Sequence, residues 1–283
     1  MATTVTRLIR FEQRHIPLDR YHLLEELGHG AHTRVLKAFD TAAHGIVALK
    51  ILRERCEKHE ERRAQLAKEG ASLARIHHAN VVPVLDLAKA PEPFYAMPFL
   101  EGRLLSDYRR RGPAPARALR VLGIELADAL GAIHSMGLVH CDFRPENVMI
   151  VRKRPIVFDL GSAFDMTADR SGWGNLLATR FEYAAPEVIR GRPATPATDL
   201  YALGLVLFEL AAGRHPFACS DASETMRRQL SVTAPRLRDA RPDLPADLES
   251  LVSALLEKNP SRRPRSAFEV SSRVMKSNLT EAA

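Results

Sequence analysis

Cysteine is scarce in this 283-residue chain, which has only Cys56, Cys141 and Cys219. Their odd number and wide spacing give neither a disulfide framework nor a metal-ligand pattern, and they suit a reducing, cytosolic setting. Long apolar runs are also missing. No stretch reaches the roughly 18 residues that a membrane-crossing helix needs. The nearest candidate, Leu200 to Ala212, carries Glu209 and reads as a buried helix. The N-terminus has no apolar core followed by a cleavage site, so secretion is not expected. With 15 glycines and 18 prolines, collagen-like and low-complexity architectures are excluded. What remains is ordinary globular stock, 46% hydrophobic and 27% charged, of a length that fits one large bilobal domain or two ordinary ones. The net charge, 41 − 34 = +7, fits either an acidic ligand or a solvated basic surface. Charge alone does not argue for nucleic acid, and none is expected.

The pattern changes once along the chain. Residues 1–20 read as a short leader. Tyr21 to Leu27, Thr33 to Phe39 and Ile46 to Leu52 read as short strands, with a turn over Asp40 to Gly45, and suggest an antiparallel meander. Residues 57–76 form a charged helix in which Leu66, Glu69, Leu73 and Ile76 recur at three- and four-residue spacing. Val81 to Leu87 and Phe94 to Leu100 read as strands, the second ending or lying at an edge because of Pro98. Beyond Gly102 helices dominate. Residues 117–135 carry a stripe of Leu119, Leu122, Leu126, Leu130 and Ile133 ended by Gly137. Val148 to Val151 and Ile156 to Phe158 are short strands joined by a basic turn. Residues 199–212, about 222–231, and 246–257 are further helices, and the last dozen residues look frayed.

Several motifs carry chemistry. Gly28-His29-Gly30 between two strands serves either as a hairpin turn or as a backbone that approaches phosphate oxygens closely. No Gly-Lys-Ser/Thr follows, so it is not a Walker A loop. Lys50 ends an apolar strand, Val47-Ala48-Leu49-Lys50, and is either solvated or a clamp for a polyanion. Glu69 lies on the helix face of Leu66 and Leu73, from which it can reach Lys50 if that helix packs on the sheet. The sharpest signal is His140-Cys141-Asp142-Phe143-Arg144-Pro145-Glu146-Asn147. Asp142 can accept a proton from a hydroxyl, Arg144 can neutralise a phosphoryl group, and Asn147 offers a hard oxygen for Mg2+. Asp159, between an apolar strand and Gly161, supplies a second metal-ligating oxygen.

In this order the motifs resemble the eukaryotic-like (bacterial-type) serine/threonine protein kinase family, over roughly residues 21–270. The matching elements are Gly28 to Val35, Val47 to Lys50, Glu69, His140 to Asn147, Asp159-Leu160-Gly161 and Ala185-Pro186-Glu187. Asp199 to Gly204 resembles the family's buried central helix, and Arg263 its partner for Glu187. The resemblance implies an α+β, bilobal protein-kinase-like fold. A small antiparallel-sheet lobe with one main helix (about 21–98) leads through a hinge (about 97–102) to a larger, mainly helical lobe (about 103–270), with a tail over 271–283. It implies ATP in the cleft, with Mg2+ (or Mn2+) held by Asn147 and Asp159. Adenine is expected between Val35 and Ala48 above and Met149 below. Met97 stands at the gatekeeper position, and the backbone near Phe99 and Leu100 meets the adenine edge. Val84, Leu73, Leu160 and His140 are expected to stack as the family's regulatory column. Lys50, held by Glu69, orients the α and β phosphates, and Asp142 positions the acceptor hydroxyl. Arg144 takes the place of the usual catalytic-loop lysine, and Thr179 resembles the threonine that contacts Asp142. The implied partner is a protein with a Ser or Thr acceptor, including this chain itself, in the cytoplasm. The alanine- and arginine-rich usage suggests a GC-rich bacterial source.

The pattern departs from the family at three places. Thr33 stands where the third loop glycine lies, and Leu160 replaces a phenylalanine. Cys141 replaces the arginine that gathers an activation-loop phosphate, which a neutral thiol cannot do, so phosphorylation of Thr167 or Ser171 is not expected to be the main switch. The lone tryptophan, Trp173, either packs the same segment or contacts a substrate or partner, and packing is the role expected. Two other functions share the motifs: a pseudokinase that acts as a scaffold, and a small-molecule kinase. The retained Lys50, Glu69, Asp142, Asn147 and Asp159 argue against the first. Ala185-Pro186-Glu187 and Asp199 to Gly204 argue against the second.

Overall fold

The structure, a computed structural model, describes residues 20–53, 56, 59–89, 92–166 and 181–281. Thr167, Ser171, Trp173 and Thr179 lie outside the described residues. The chain divides into two units. The smaller holds the described residues up to Ala71 together with Val84–Phe99, and the larger holds Ser72–Pro83 and the chain from Leu100 onward.

In the smaller unit, β1 (Tyr21–His29), β2 (Thr33–Asp40), β3 (Gly45–Leu52), β4 (Asp86–Ala88) and β5 (Phe94–Pro98) form one antiparallel sheet in the order β1-β2-β3-β5-β4. The expected meander is its first three strands. The Asp40 carboxylate caps the β2–β3 turn by accepting from the amides of Ala42 (2.9 Å) and Ala43 (3.3 Å), a local bond that favours aspartate at such a corner. The core gathers Tyr21, Ala38, Val47, Leu49, Phe94 and Ala96, with Tyr21 edge-on to Phe94 at 5.8 Å. The main helix, α1, runs Glu60–Leu73. Arg20, read as the end of a leader, belongs to this sheet: its guanidinium binds Asp40 on β2 and Asp86 on β4.

One expected strand is corrected. Val81 to Leu87 does not pair as a unit. Only Asp86–Ala88 joins the sheet, while Val81 bridges to Val157 inside the larger unit. Pro83 stands between these two pairings and has no N–H to offer a ladder.

The larger unit is mainly helical: α2 (Ala116–Ser135), α3 (Pro186–Ile189), α4 (Pro196–Ala212), α5 (Ala222–Ser231), α6 (Leu237–Ala240), α7 (Ala246–Leu255) and α8 (Ala267–Glu281). Five short strands accompany them: β6 (Arg103–Leu104), β7 (Leu138–Val139), β8 (Val148–Val151), β9 (Arg154–Val157) and β10 (Phe164–Asp165). They form the sheets β6-β8-β9 and β10-β7. The α2 stripe is buried at Leu119, Leu126, Leu130 and Ile133, and Gly137, at φ 75°, turns the chain after it.

Helix α4 is the centre of the unit. A capping box between Thr195 and Thr198 starts it, Pro196 fills its first turn, and Gly213 in the left-handed region ends it. Every residue from Thr198 to Ala211 is buried, as a helix that is apolar on all sides requires. The frayed tail expected over the last dozen residues is not observed through Glu281. Those residues continue α8, in which Val270, Ser271 and Val274 are buried. Among the described residues no helix is long and apolar enough to cross a membrane.

Candidate active site

In the smaller unit, strand register brings the charged pair together. Lys50 on β3 stands opposite Tyr95 on β5. Its Nζ lies 2.7 Å from Glu69 Oε1, and the Tyr95 hydroxyl donates to the same oxygen at 2.8 Å. Lys50 and Glu69 are both buried. Sequence reasoning finds Lys50 and Glu69 but misses Tyr95, whose only signal is an aromatic residue at the cross-strand position. The β1–β2 hairpin closes by a bond from the Gly30 amide to the Thr33 carbonyl, 2.9 Å. A Cβ placed on Gly28 would touch nothing within 4 Å, so packing within the chain does not call for a glycine there. Val35 is half-buried opposite Lys50, Ala48 and Met97 are buried and face each other across β3 and β5, and Phe99 lies under the Lys37 ammonium at 4.6 Å.

In the larger unit, Asp199 at the start of α4 organises the loop after β7. Its carboxylate accepts from the amides of His140 (2.8 Å) and Cys141 (3.0 Å) and pairs with His134 Nε2 (2.8 Å). Cys141 is drawn into the left-handed region, φ 63°, a conformation a non-glycine residue holds only when its surroundings enforce it. Burial, with the charges of Asp199 and Asp142, pushes its thiol well above the ordinary range. A protonated thiol is a poor nucleophile, which argues against a catalytic or redox role for Cys141.

The loop then folds on itself. Asn147 Nδ2 donates to the Asp142 carbonyl (2.8 Å) and to Asp142 Oδ2 (3.1 Å). With Nδ2 committed, Oδ1 is the atom that Asn147 can offer a cation. The Asn147 carbonyl accepts from the Phe158 amide at 3.0 Å, extending the β8–β9 ladder by one step and bringing Asp159 beside the loop. Asp159 is itself in the left-handed region, φ 67°, with Oδ1 accepting from the Gly161 amide at 3.1 Å. Burial, the largest influence, raises the Asp142 carboxyl. The Asp159 charge adds to this, while His140, Arg144 and the Asn147 bond pull the other way. Met149 on β8 is half-buried and Leu100 likewise. His140, Leu73 and Leu160 are buried.

Arg144 is embedded in contacts that sequence does not reveal. Its Nε donates to Glu146 Oε2 at 2.7 Å, and its guanidinium lies 5.6 Å from the centre of the Tyr183 ring. Arg109 joins Glu146 (3.2 Å) to Glu209 (2.9 Å), and the Tyr183 hydroxyl donates to Glu209. These five side chains close a ring of alternating charge and aromatic contact. Beside it opens a groove of about 510 Å³, lined by Arg144, Phe181, Glu182, Cys219, Ala222 and Thr225 among others. Below, Arg263 grips Glu187 with both arms, at 2.7 and 2.8 Å, the pairing expected from sequence.

Comparison with known proteins follows the same lines. A protein kinase domain model matches residues 21–274. The chain is 31% identical over 255 residues to the serine/threonine-protein kinase PrkC of Bacillus subtilis, covering 89% of this chain and 39% of that protein. It is 35% identical over 255 residues to the DNA damage-responsive serine/threonine-protein kinase RqkA of Deinococcus radiodurans, with coverage of 87% and 38%. It is 30% identical over 255 residues to the probable serine/threonine-protein kinase CPE1738 of Clostridium perfringens, with coverage of 89% and 37%. The chain thus spans well under half the length of these relatives.

Proposed function

The chain belongs to the protein kinase family, in its eukaryotic-like branch, and from that premise we propose that it transfers the γ-phosphoryl group of Mg-ATP to serine and threonine hydroxyls of proteins, itself included. The observation that carries this reading is the buried Lys50–Glu69 pair with Tyr95 on the same oxygen. A scaffold protein has no need to hold an ammonium ion in so costly a setting, whereas a polyanion clamp does.

The residues fit the absent groups. Gly28 leaves open the space a side chain would take, as close approach of a phosphate requires. Asn147 Oδ1 and the Asp159 carboxylate are hard oxygen donors suited to Mg2+ or Mn2+. When bound, the metal supplies charge neutralisation at the phosphates. The chain's own contribution is positional. Lys50, fixed by Glu69, holds phosphate oxygens. In the smaller unit Val35, Ala48 and Met97 offer apolar faces suited to adenine and the backbone at Phe99 offers polar edges; Leu100 and Met149, in the larger unit, are assigned to the same ligand by the family resemblance alone. Asp142, held by Asn147 and raised by burial, accepts a hydrogen bond from the substrate hydroxyl and orients it. Arg144 adds its charge beside Asp142, and the role proposed for Thr179 falls outside the described residues.

With Cys141 in place of arginine, activation-loop phosphorylation is not the main switch in this proposal. The free thiols of Cys56, Cys141 and Cys219 support a cytoplasmic setting. The test is incubation with Mg-ATP and a protein substrate, with phosphorylated residues mapped by mass spectrometry, beside Asp142→Ala. Phosphoserine or phosphothreonine in the parent alone is expected. Absence of both phosphate transfer and ATP binding would overturn the reading.

A further inference from the structure

Away from the candidate site, the β8–β9 hairpin ends in a turn whose residues are ill suited to its shape. Val151 pairs with Arg154, so the loop between the strands is Arg152-Lys153 alone. Both residues are in the left-handed region, at φ 47° and 71°. A two-residue hairpin loop with positive φ at both positions favours Asn-Gly, because a larger side chain crowds the backbone there. Arginine and lysine hold this conformation at a cost, and such strain persists only where the surroundings impose it.

Below the turn, the outer edge of β9 is already paired. Buried Asn80 donates from Nδ2 to the Pro155 carbonyl at 2.9 Å. The Val157 amide donates to the Asn80 carbonyl at 2.8 Å, and the Val82 amide to the Val157 carbonyl at 2.9 Å. The hairpin therefore stands on a fixed base, and what it presents at its tip is side chains, not a strand edge. Those side chains are cationic. Arg152, Lys153 and Arg154 are exposed, and none of the three side chains makes a hydrogen bond or ion pair with a described residue. Glu125 on α2 senses the Arg154 charge but forms no ion pair with it. Neighbouring like charges without a counter-ion repel one another, which adds to the cost of the turn.

We propose that this tip is a docking site for a short carboxylate-rich segment of a partner protein. Charge complementarity selects the occupant. The forked guanidinium groups of Arg152 and Arg154 match carboxylates in a bidentate way. The tip spans three residues, about 10 Å at the rise of a strand, which suits a few consecutive acidic side chains. It carries no aromatic ring to stack a nucleobase or to sit at a lipid interface. The fixed base holds the backbone of the tip in place, so little ordering is lost on binding. This docking does not rest on the kinase reading.

The test is fluorescence anisotropy of a labelled glutamate–serine repeat peptide on the full chain, read beside thermal melting. Raising salt from about 50 to 300 mM should weaken binding severalfold. Arg152→Asn combined with Lys153→Gly supplies the residues that the turn favours. The melting temperature of this double variant should rise by about 2–4 °C, while its affinity for the peptide falls roughly tenfold. A purely structural role for the two residues predicts a melting shift of the opposite sign. Arg154→Gln, outside the two-residue loop, should weaken binding severalfold at an unchanged melting temperature. Arg117→Gln combined with Arg262→Gln removes two exposed cations elsewhere and should leave the affinity within about twofold. Equal binding by the parent and the Arg152, Lys153 double variant, or a fall in that variant's melting temperature, overturns the site. Tighter binding of the parent to phosphatidylserine vesicles or to a single-stranded oligonucleotide than to the peptide, lost in the same variant, overturns the assignment to an acidic protein segment.

Discussion

Lys50 and Tyr95 face each other across two paired strands and bind the same oxygen of Glu69. The carboxylate is thus held from two directions, by an ion pair and by a neutral hydroxyl. Tyr95→Phe removes only the second hold. The expected loss in stability is about 1 kcal/mol, read from the urea midpoint. Because the ion pair with Lys50 then loses the Tyr95 bond that orients the Glu69 carboxylate, kcat/KM for ATP should fall roughly tenfold, equivalent to about 1.4 kcal/mol. An ATP kcat/KM equal to that of the parent would show that Tyr95 has no part in placing Lys50.

Arg263 and Glu187 form a second buried pair, with Thr198 also donating to Glu187 at 3.1 Å. Arg263→Met leaves a carboxylate buried without its cation. The expected cost is about 3–5 kcal/mol. Glu187→Gln combined with Arg263→Met should cost less than the two single changes together. Strict additivity in urea denaturation would contradict a direct pairing.

Gly102 is required by space. A Cβ there would lie 2.5 Å from the Ile150 carbonyl oxygen and 2.8 Å from Met149 Cγ. Met149 can rotate away, but the Ile150 backbone cannot. Gly102→Ala should therefore displace β6 from β8 and destabilise by about 1–3 kcal/mol. Gly28→Ala, with nothing within 4 Å, should leave the melting temperature unchanged and weaken ATP binding. A larger thermal shift for Gly28→Ala than for Gly102→Ala would reverse this assignment.

His215 links stability to pH. Burial lowers its pKa from 6.5 to about 4, opposed by Glu182 and assisted by Arg109 and Lys258. Between those values the unfolded chain binds a proton at His215 that the folded chain refuses. This contribution is therefore complete above pH 6.5 and is lost as pH falls toward 4, about 3 kcal/mol in all. His215→Gln removes the titration. Urea denaturation should show the parent losing stability more steeply than the variant over this window. Parallel pH profiles would refute the assignment.

The parts of the site that sequence exposes are those written within a few residues. Asp142, Arg144 and Asn147 share one loop, and Asp159 follows one hairpin later. Their spacing is the signal, and the bonds from Asn147 to Asp142 and from Phe158 to Asn147 are what that spacing makes possible. Asp199 is legible only as part of a helix motif. Its grip on the Cys141 amide joins residues 58 apart, and no local period encodes that. The same holds for Arg109, whose partner Glu209 is 100 positions away. Among the fold elements, β6, β7 and β10 are two residues long, too short for any alternation to appear. Val81 to Leu87 misled for the opposite reason: its apolar residues suit a strand, but tertiary contacts divide them between the two units.

Arg20 has a consequence for how the sheet comes apart. One guanidinium reaches Asp40 on β2 and Asp86 on β4, and Tyr21 on β1 donates to Asp86 as well. Strand β1 is one border of the sheet and β4 the other. The two borders are thus tied by side chains as well as through the ladder between them. Neither can fray alone without breaking a bond at the other, so hydrogen exchange at Leu23 and at Leu87 should share one opening event. A protein trimmed to begin at Tyr21, where the family match begins, would lose the Arg20 arms of that tie and keep only the bond from Tyr21 to Asp86, so the coupling between the two borders should weaken.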